Sequence, residues 1–150
     1  MQKLVSLDDI ELNVSAADWQ DAVIKSGTIL LNNGYVTREY VNAMVQTDKN
    51  LGPYIVVAPG LAKPHARSTN GVIKSGISIM TLSQPVEFGN ESNDPVYLLI
   101  GLAGSNDDLH LKIMQAIATI FEDDRMLERI TACDRREMVA RIFNDVEVEE

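Results

Sequence analysis

Residues 52–67 read GPYIVVAPGLAKPHAR, and the fold turns on how they are parsed. An apolar run, residues 54–58, stops at Pro59-Gly60. Such a run, closed by Pro-Gly, predicts a buried strand entering a turn. Pro64-His65-Ala66-Arg67 follows. Pro64 has a fixed φ and no N–H, and it also restricts Lys63, so the backbone entering His65 is stiff. The sequence therefore puts an imidazole, followed by an arginine, on a stiff loop just past a predicted strand. That arrangement suits nucleophilic or anion chemistry. A lone loop histidine serves equally well as a polar surface residue.

The flanking sequence supplies the rest of the fold. Upstream, residues 4–14 alternate loosely, with Ile10, Leu12 and Val14 on one face, as in a strand. Ser15 to Asp18 has the spacing of a capping box. Trp19, Ala22, Val23, Leu30 and Leu31 then recur near helical spacing until Asn32-Asn33-Gly34, with Trp19 read as a core anchor. Thr37 is placed to cap a second helix striped by Tyr40, Val41, Met44 and Val45 and ended by residues 50–53.

Downstream, residues 68–71 form a polar turn, and Ile77 and residues 79–82 predict a strand broken by Gln84-Pro85. Residues 86–89 are expected as a short edge strand, and 93–95 as a turn. VYLLIGL, residues 96–102, is a continuous apolar run and predicts a strand buried on both faces. Residues 103–108 turn the chain into a helix whose stripe is Leu109, Ile113, Ala116, Ile117, Ile120 and Phe121. Two shorter helices, residues 125–132 and 135–143, and an acidic tail, 145–150, expected to fray, complete the chain. Strands interleaved with helices predict an α/β fold with helices on both sheet faces.

The chain has 150 residues, about one domain's worth, with 45% hydrophobic and 23% charged residues. Its net charge of −9 leaves no basic stripe for nucleic acid or an anionic membrane. It suits a partner with a basic face, or simple solubility. Cys133 is alone, so no intrachain disulfide framework exists. Residues 1–10 lack the apolar region of a signal peptide, and no apolar run approaches the ~20 residues that span a bilayer. A soluble cytoplasmic protein is expected.

The chain holds two histidines, His65 and His110, each shortly after an apolar strand-like run. If those strands are parallel neighbours, both imidazoles gather at the carboxyl edge of the sheet, where α/β folds bind ligands. His110 falls in the first turns of its helix, with Ser105 or Asn106 as cap, and free N–H groups there would attract an anion. Arg67 could add a bidentate contact to a phosphoryl group. Alternatively, Asp107 and Asp108 cap that helix and His110 is incidental.

Competing chemistries lack their motifs. Two distant histidines, no HExxH and one remote cysteine do not make a zinc site. There is no GxSxG elbow, no P-loop and no GxGxxG after a strand. Histidine as nucleophile remains: neutral imidazole attacks a phosphoryl donor, with a second imidazole and a cation stabilising the equatorial oxygens.

Three blocks in order carry a family resemblance: residues 52–67, PVEFG with NDPVYLLIGLAG within residues 85–104, and DDLH at 107–110. From about Leu4 to Phe143 the chain resembles the enzyme IIA components of the phosphoenolpyruvate-dependent sugar phosphotransferase system, mannitol/fructose class, and within it the ascorbate type. The resemblance implies a mixed β-sheet sandwiched between helices on both faces, in a single domain over residues 1–150. It implies that His65 accepts phosphate from the carrier protein HPr and passes it to a cysteine of the cognate enzyme IIB, which serves a membrane permease, enzyme IIC. His110 matches the supporting histidine. No metal or organic cofactor is implied.

The arginine that the mannitol branch carries on the preceding helix falls near Thr47 and is missing, leaving Lys49 or Arg67 as substitutes. Ser105 and Asn106 are further candidates for phosphate binding. L-ascorbate is the implied sugar, with a pentitol or galactitol-like substrate as alternative. A regulatory module of the nitrogen type, an anion-binding scaffold without transfer chemistry, and a homodimer also stay open.

Overall fold

The computed structural model describes residues 3–146, so residues 147–150 of the acidic tail lie outside the described residues. A 3-10 turn, Leu7–Asp9, leads into strand β1 (Ile10–Val14), which is shorter than the alternation suggested. Helix α1 (Trp19–Asn32) follows. Its cap is Asp18, whose carboxylate accepts the Asp21 N–H at 2.8 Å, and not Ser15. Asp21 in turn accepts from Ala17 N, the residue before the cap, so the paired side chains sit three residues further along than the Ser15–Asp18 spacing suggested. Helix α2 (Arg38–Leu51) starts after Thr37 and ends at Gly52, whose positive φ of 83° suits glycine.

The opening stretch divides differently from its expected parsing. β2 (Val56–Ala58) and β3 (Leu61–Ala62) are antiparallel arms of a hairpin turned by Pro59-Gly60, where Gly60 takes a positive φ of 80°. β2 is the sheet edge, not a buried strand: Tyr54 is 77% exposed and Val57 is also exposed. The strand that delivers His65 is therefore the two-residue β3.

β4 (Gly76–Val86) does not break at Pro85. Its neighbour β1 pairs with it only as far as Leu82. Beyond that point β4 is an edge, and an edge tolerates a missing N–H. Val86 still pairs with Val96, and residues 87–89 form no strand. β5 (Val96–Ala103) is buried at every position but Tyr97, as its unbroken apolar run predicted. The helices α3 (Asp108–Ile120), α4 (Met126–Thr131) and α5 (Arg136–Asn144) close the chain.

The five strands run in the order β1-β4-β5-β3-β2, with parallel β1–β4 and β3–β5 pairs and antiparallel β4–β5 and β2–β3 pairs. The sheet is mixed, and each face has its own core. Met80, Leu82, Val96 and Leu99 pack with α1 and α2 residues such as Leu30, Tyr40 and Met44. Ile77, Ile79, Leu98 and Ile100 pack with Ile113, Ile117, Ile130 and Phe143 from α3, α4 and α5. The period-2 alternation along β4 and β5 thus feeds two helical layers. Each such buried aliphatic side chain contributes roughly 1.5–3 kcal/mol. Cys133 is buried in the second core, on the connection between α4 and α5.

Candidate functional site

β3 and β5 are parallel neighbours, with Leu61 opposite Leu98 and Ala62 opposite Leu99. Both chains leave the sheet at the same edge. The pairing extends past β3, because Leu102 N–H donates to Pro64 O at 2.9 Å. His65 is the next residue. β5 ends at Ala103, and five residues later α3 begins, with His110 in its first turn. The sheet topology thus brings the two histidines, 45 positions apart in SEQ numbering, to one cleft of about 680 Å³.

The loop carrying His65 is clamped from below. Tyr40, fully buried on α2, donates its hydroxyl to Leu102 O at 2.6 Å and accepts from Ala66 N at 3.0 Å, with Ala66 O 3.2 Å away. Burial raises the Tyr40 pKa. The sequence showed Tyr40 only as part of a helical stripe; its hydroxyl, in an otherwise apolar row, was the available sign of a polar task.

His65 is exposed, and its Nδ1 lies 2.8 Å from Lys63 O. A carbonyl can only accept, so Nδ1 carries a proton in this contact, and Nε2 is the nitrogen left to supply a lone pair. His110 is partly buried and its ring lies against Gly104: a methyl group at residue 104 would collide with ring atoms of His110. Gly104 is thus a close-approach glycine that sequence reading passed over.

The start of α3 follows the second of the two readings, in which an aspartate caps the helix. Its N-cap is Asp107, neither Ser105 nor Asn106, and Asp107 Oδ1 accepts the His110 N–H at 2.8 Å. That bond, followed by one from Ser75, holds the Asp107 carboxyl below its ordinary pKa. A carboxylate therefore already occupies the helix start, so an incoming anion must be met by side chains instead. Ser105 is drawn into the same network, its N–H donating to Ser75 Oγ and its hydroxyl to Asp107 Oδ2, and it does not line the cleft. Asn106, with a positive φ of 60°, does line it.

Arg67 also lines the cleft, and so does Lys63, whose side chain the sequence reading did not consider. Lys49 and Thr47 do not; Lys49 is exposed on α2, and Thr47 donates to Ala43 O within its own helix. None of the residues lining the cleft is acidic. In a chain of net charge −9, a carboxylate-free cleft holding two cations and two imidazoles is a local reversal of sign that favours an anion.

The family profile of the phosphoenolpyruvate-dependent sugar phosphotransferase system, EIIA 2, matches residues 3–146. The chain belongs to this EIIA family. It is 38% identical over 131 residues to the ascorbate-specific PTS system EIIA component of Salmonella typhimurium, covering 87% of this chain and 85% of the relative. The solution structure of the mannitol-specific cryptic enzyme IIA CmtB of Escherichia coli superimposes with a TM-score of 0.82 at 33% identity, covering 96% of this chain and 97% of that one. The complex of Escherichia coli enzyme IIA and phosphorylated enzyme IIB of the mannitol system matches with a TM-score of 0.83 at 26% identity, covering 95% and 98%.

The mixed sheet between helical layers is thus the EIIA mannitol-type fold, and the chain is a phosphotransferase component. A second cavity of this EIIA, about 560 Å³, lies between α3, α4 and α5 and includes neither histidine. No helix among the described residues is long and apolar enough to cross a membrane.

Proposed function

We propose that this EIIA, a single domain over residues 1–150, is a cytoplasmic phosphocarrier that takes a phosphoryl group from HPr onto His65 and passes it to a cysteine of a cognate enzyme IIB, in the uptake of L-ascorbate. The observation that carries the reading is the cleft itself: an exposed His65 ring held through Nδ1 by Lys63 O, beside a second imidazole and two cations, with no carboxylate in the lining.

The chemistry follows from that placement. The lone pair of His65 Nε2 attacks phosphorus in line with the donor's P–N bond. The Nε2–P bond forms as the donor bond breaks, and the electron pair returns to the donor imidazole. The positive charge that develops on the His65 ring is shared through Nδ1–H with Lys63 O. In the second step a thiolate of enzyme IIB attacks the same phosphorus, the N–P bond breaks, and its electron pair returns to His65. His110 and the cations hold the equatorial oxygens during both transfers.

The ascorbate assignment is supported by relatives at 38% identity that bear that name, and the IIB partner by the neighbour's complex with phosphorylated IIB. The test is phosphotransfer from labelled HPr through this protein to a panel of purified enzymes IIB. Fast transfer to the ascorbate-type IIB is expected. Transfer only to another sugar's IIB overturns the sugar, and no transfer to any IIB overturns the transport role.

A further inference from the structure

The backbone stays extended beyond β3. Lys63 N–H donates to Ile55 O at 2.7 Å, and Pro64 O accepts from Leu102 N at 2.9 Å. Alternate residues of an extended chain share a face, about 6–7 Å apart along the strand. Lys63 and His65 therefore belong to one side, and both line the cleft. The Lys63 carbonyl already holds the His65 ring. Its ammonium, on a flexible four-carbon stem, starts two residues from the nucleophile.

Lys63 is half-buried, and burial pushes its pKa down. Among the described residues it makes no ion pair with a carboxylate. A desolvated cation without a counter-ion is unfavourable. It becomes favourable when an anion enters, and the reduced screening around it strengthens that attraction. Arg67 shares the cleft but is exposed, where solvent and salt weaken its field. Lys49 lies outside the cleft.

We propose that Lys63 Nζ, rather than Lys49, carries the charge that meets the phosphoryl group on His65. This rests on the phosphocarrier reading above. As the Nε2–P bond forms and the donor's P–N bond breaks, Nζ pairs with the equatorial oxygens and exchanges neither proton nor electrons with them. Lys63 is then a catalytic residue, supplied from the residue just before the Pro-His pair.

The experiment measures the rate of His65 phosphorylation in the full chain with two donors, phospho-HPr and phosphoramidate, a small P–N compound with no docking surface. Wild type, Lys63→Met, Lys63→Arg and Lys49→Met are compared, with circular dichroism confirming the fold of each. Lys63→Met should be slower by about tenfold to hundredfold with both donors, in the range for loss of one charge-stabilising group. Lys63→Arg should recover to within about threefold of wild type, and Lys49→Met should match wild type.

If Lys63→Met labels His65 within twofold of the wild-type rate, the proposal is overturned while the phosphocarrier reading stands. If Lys63→Arg, folded, is as slow as Lys63→Met, the charge role is overturned. A loss seen with phospho-HPr and absent with phosphoramidate also overturns it, since Lys63 then serves docking. Should Lys63→Met not fold, Lys63→Gln takes its place under the same criteria. A wild-type chain that takes no label on His65 removes the phosphocarrier reading itself.

Discussion

His65 Nδ1 sits 2.8 Å from the carbonyl oxygen of Lys63, two residues earlier in the same loop. This contact fixes both the ring's orientation and its tautomer, and leaves one nitrogen able to attack. Phosphate should therefore attach at Nε2. In protein carrying 15N-labelled histidine, phosphorus coupling should appear on Nε2 of His65; coupling on Nδ1 would mean that the loop reorganises before transfer.

The clamp made by Tyr40 gives the next expectation. Tyr40→Phe keeps the ring in the core and removes the hydroxyl that serves Ala66 N and Leu102 O. One buried and one part-buried backbone group lose their partner, which costs about 1–3 kcal/mol. Urea denaturation should show that loss, and His65 should accept phosphate more slowly because its loop is no longer tied to β5. Unchanged stability and unchanged rate together would remove the clamp from the account.

Gly104→Ala tests the position of the second histidine. An added methyl collides with the His110 ring, which must swing away. Phosphotransfer should fall toward the rate of His110→Ala, while thermal stability changes by no more than about 1–3 kcal/mol. If Gly104→Ala transfers at the wild-type rate, the ring position is unimportant.

Asp48 makes a pH prediction away from the cleft. It lies on α2, is 5% exposed, and its Oδ1 has no hydrogen-bond partner among the described residues. Desolvation pushes its carboxyl up to about 6 from an ordinary 3.8. The folded state therefore holds the proton more tightly than the unfolded chain. The stability linked to this group is full below about pH 4 and is lost as pH rises through 6. Asp48→Asn, which keeps the neutral form, should be more stable than wild type at pH 7 by roughly 2–3 kcal/mol and nearly equal to it near pH 4. Denaturant titrations at both pH values check this; a pH-independent difference would contradict it.

Much of this architecture was legible in the residues. β5 announced itself because both its faces are covered, so its apolar run is unbroken. α1, α2 and α3 showed their helical stripes. The hairpin at Pro59-Gly60 was not legible, because β3 is only two residues long and a run such as YIVVA looks alike at an edge or in a core. Pro85 misled because whether a strand tolerates proline depends on where its neighbour ends. The histidine pair was legible in part: each follows an apolar strand-like run, but the run before His65 holds the edge strand β2, and the parallel neighbour of β5 is β3. The pair's surroundings were less so: the Asp107 cap, a local contact, was one of two readings the sequence offered, while the clamp by Tyr40 and the cleft position of Lys63 depend on which strands are neighbours, a long-range fact.

The central claim is that His65 is the phosphoryl acceptor. The direct measurement is incubation of wild type, His65→Ala and His110→Ala with phosphoenolpyruvate, enzyme I and HPr, counting acid-labile phosphate per chain. One phosphate on wild type, none on His65→Ala, and slow labelling of His110→Ala are predicted. Equal labelling of wild type and His65→Ala would contradict the account.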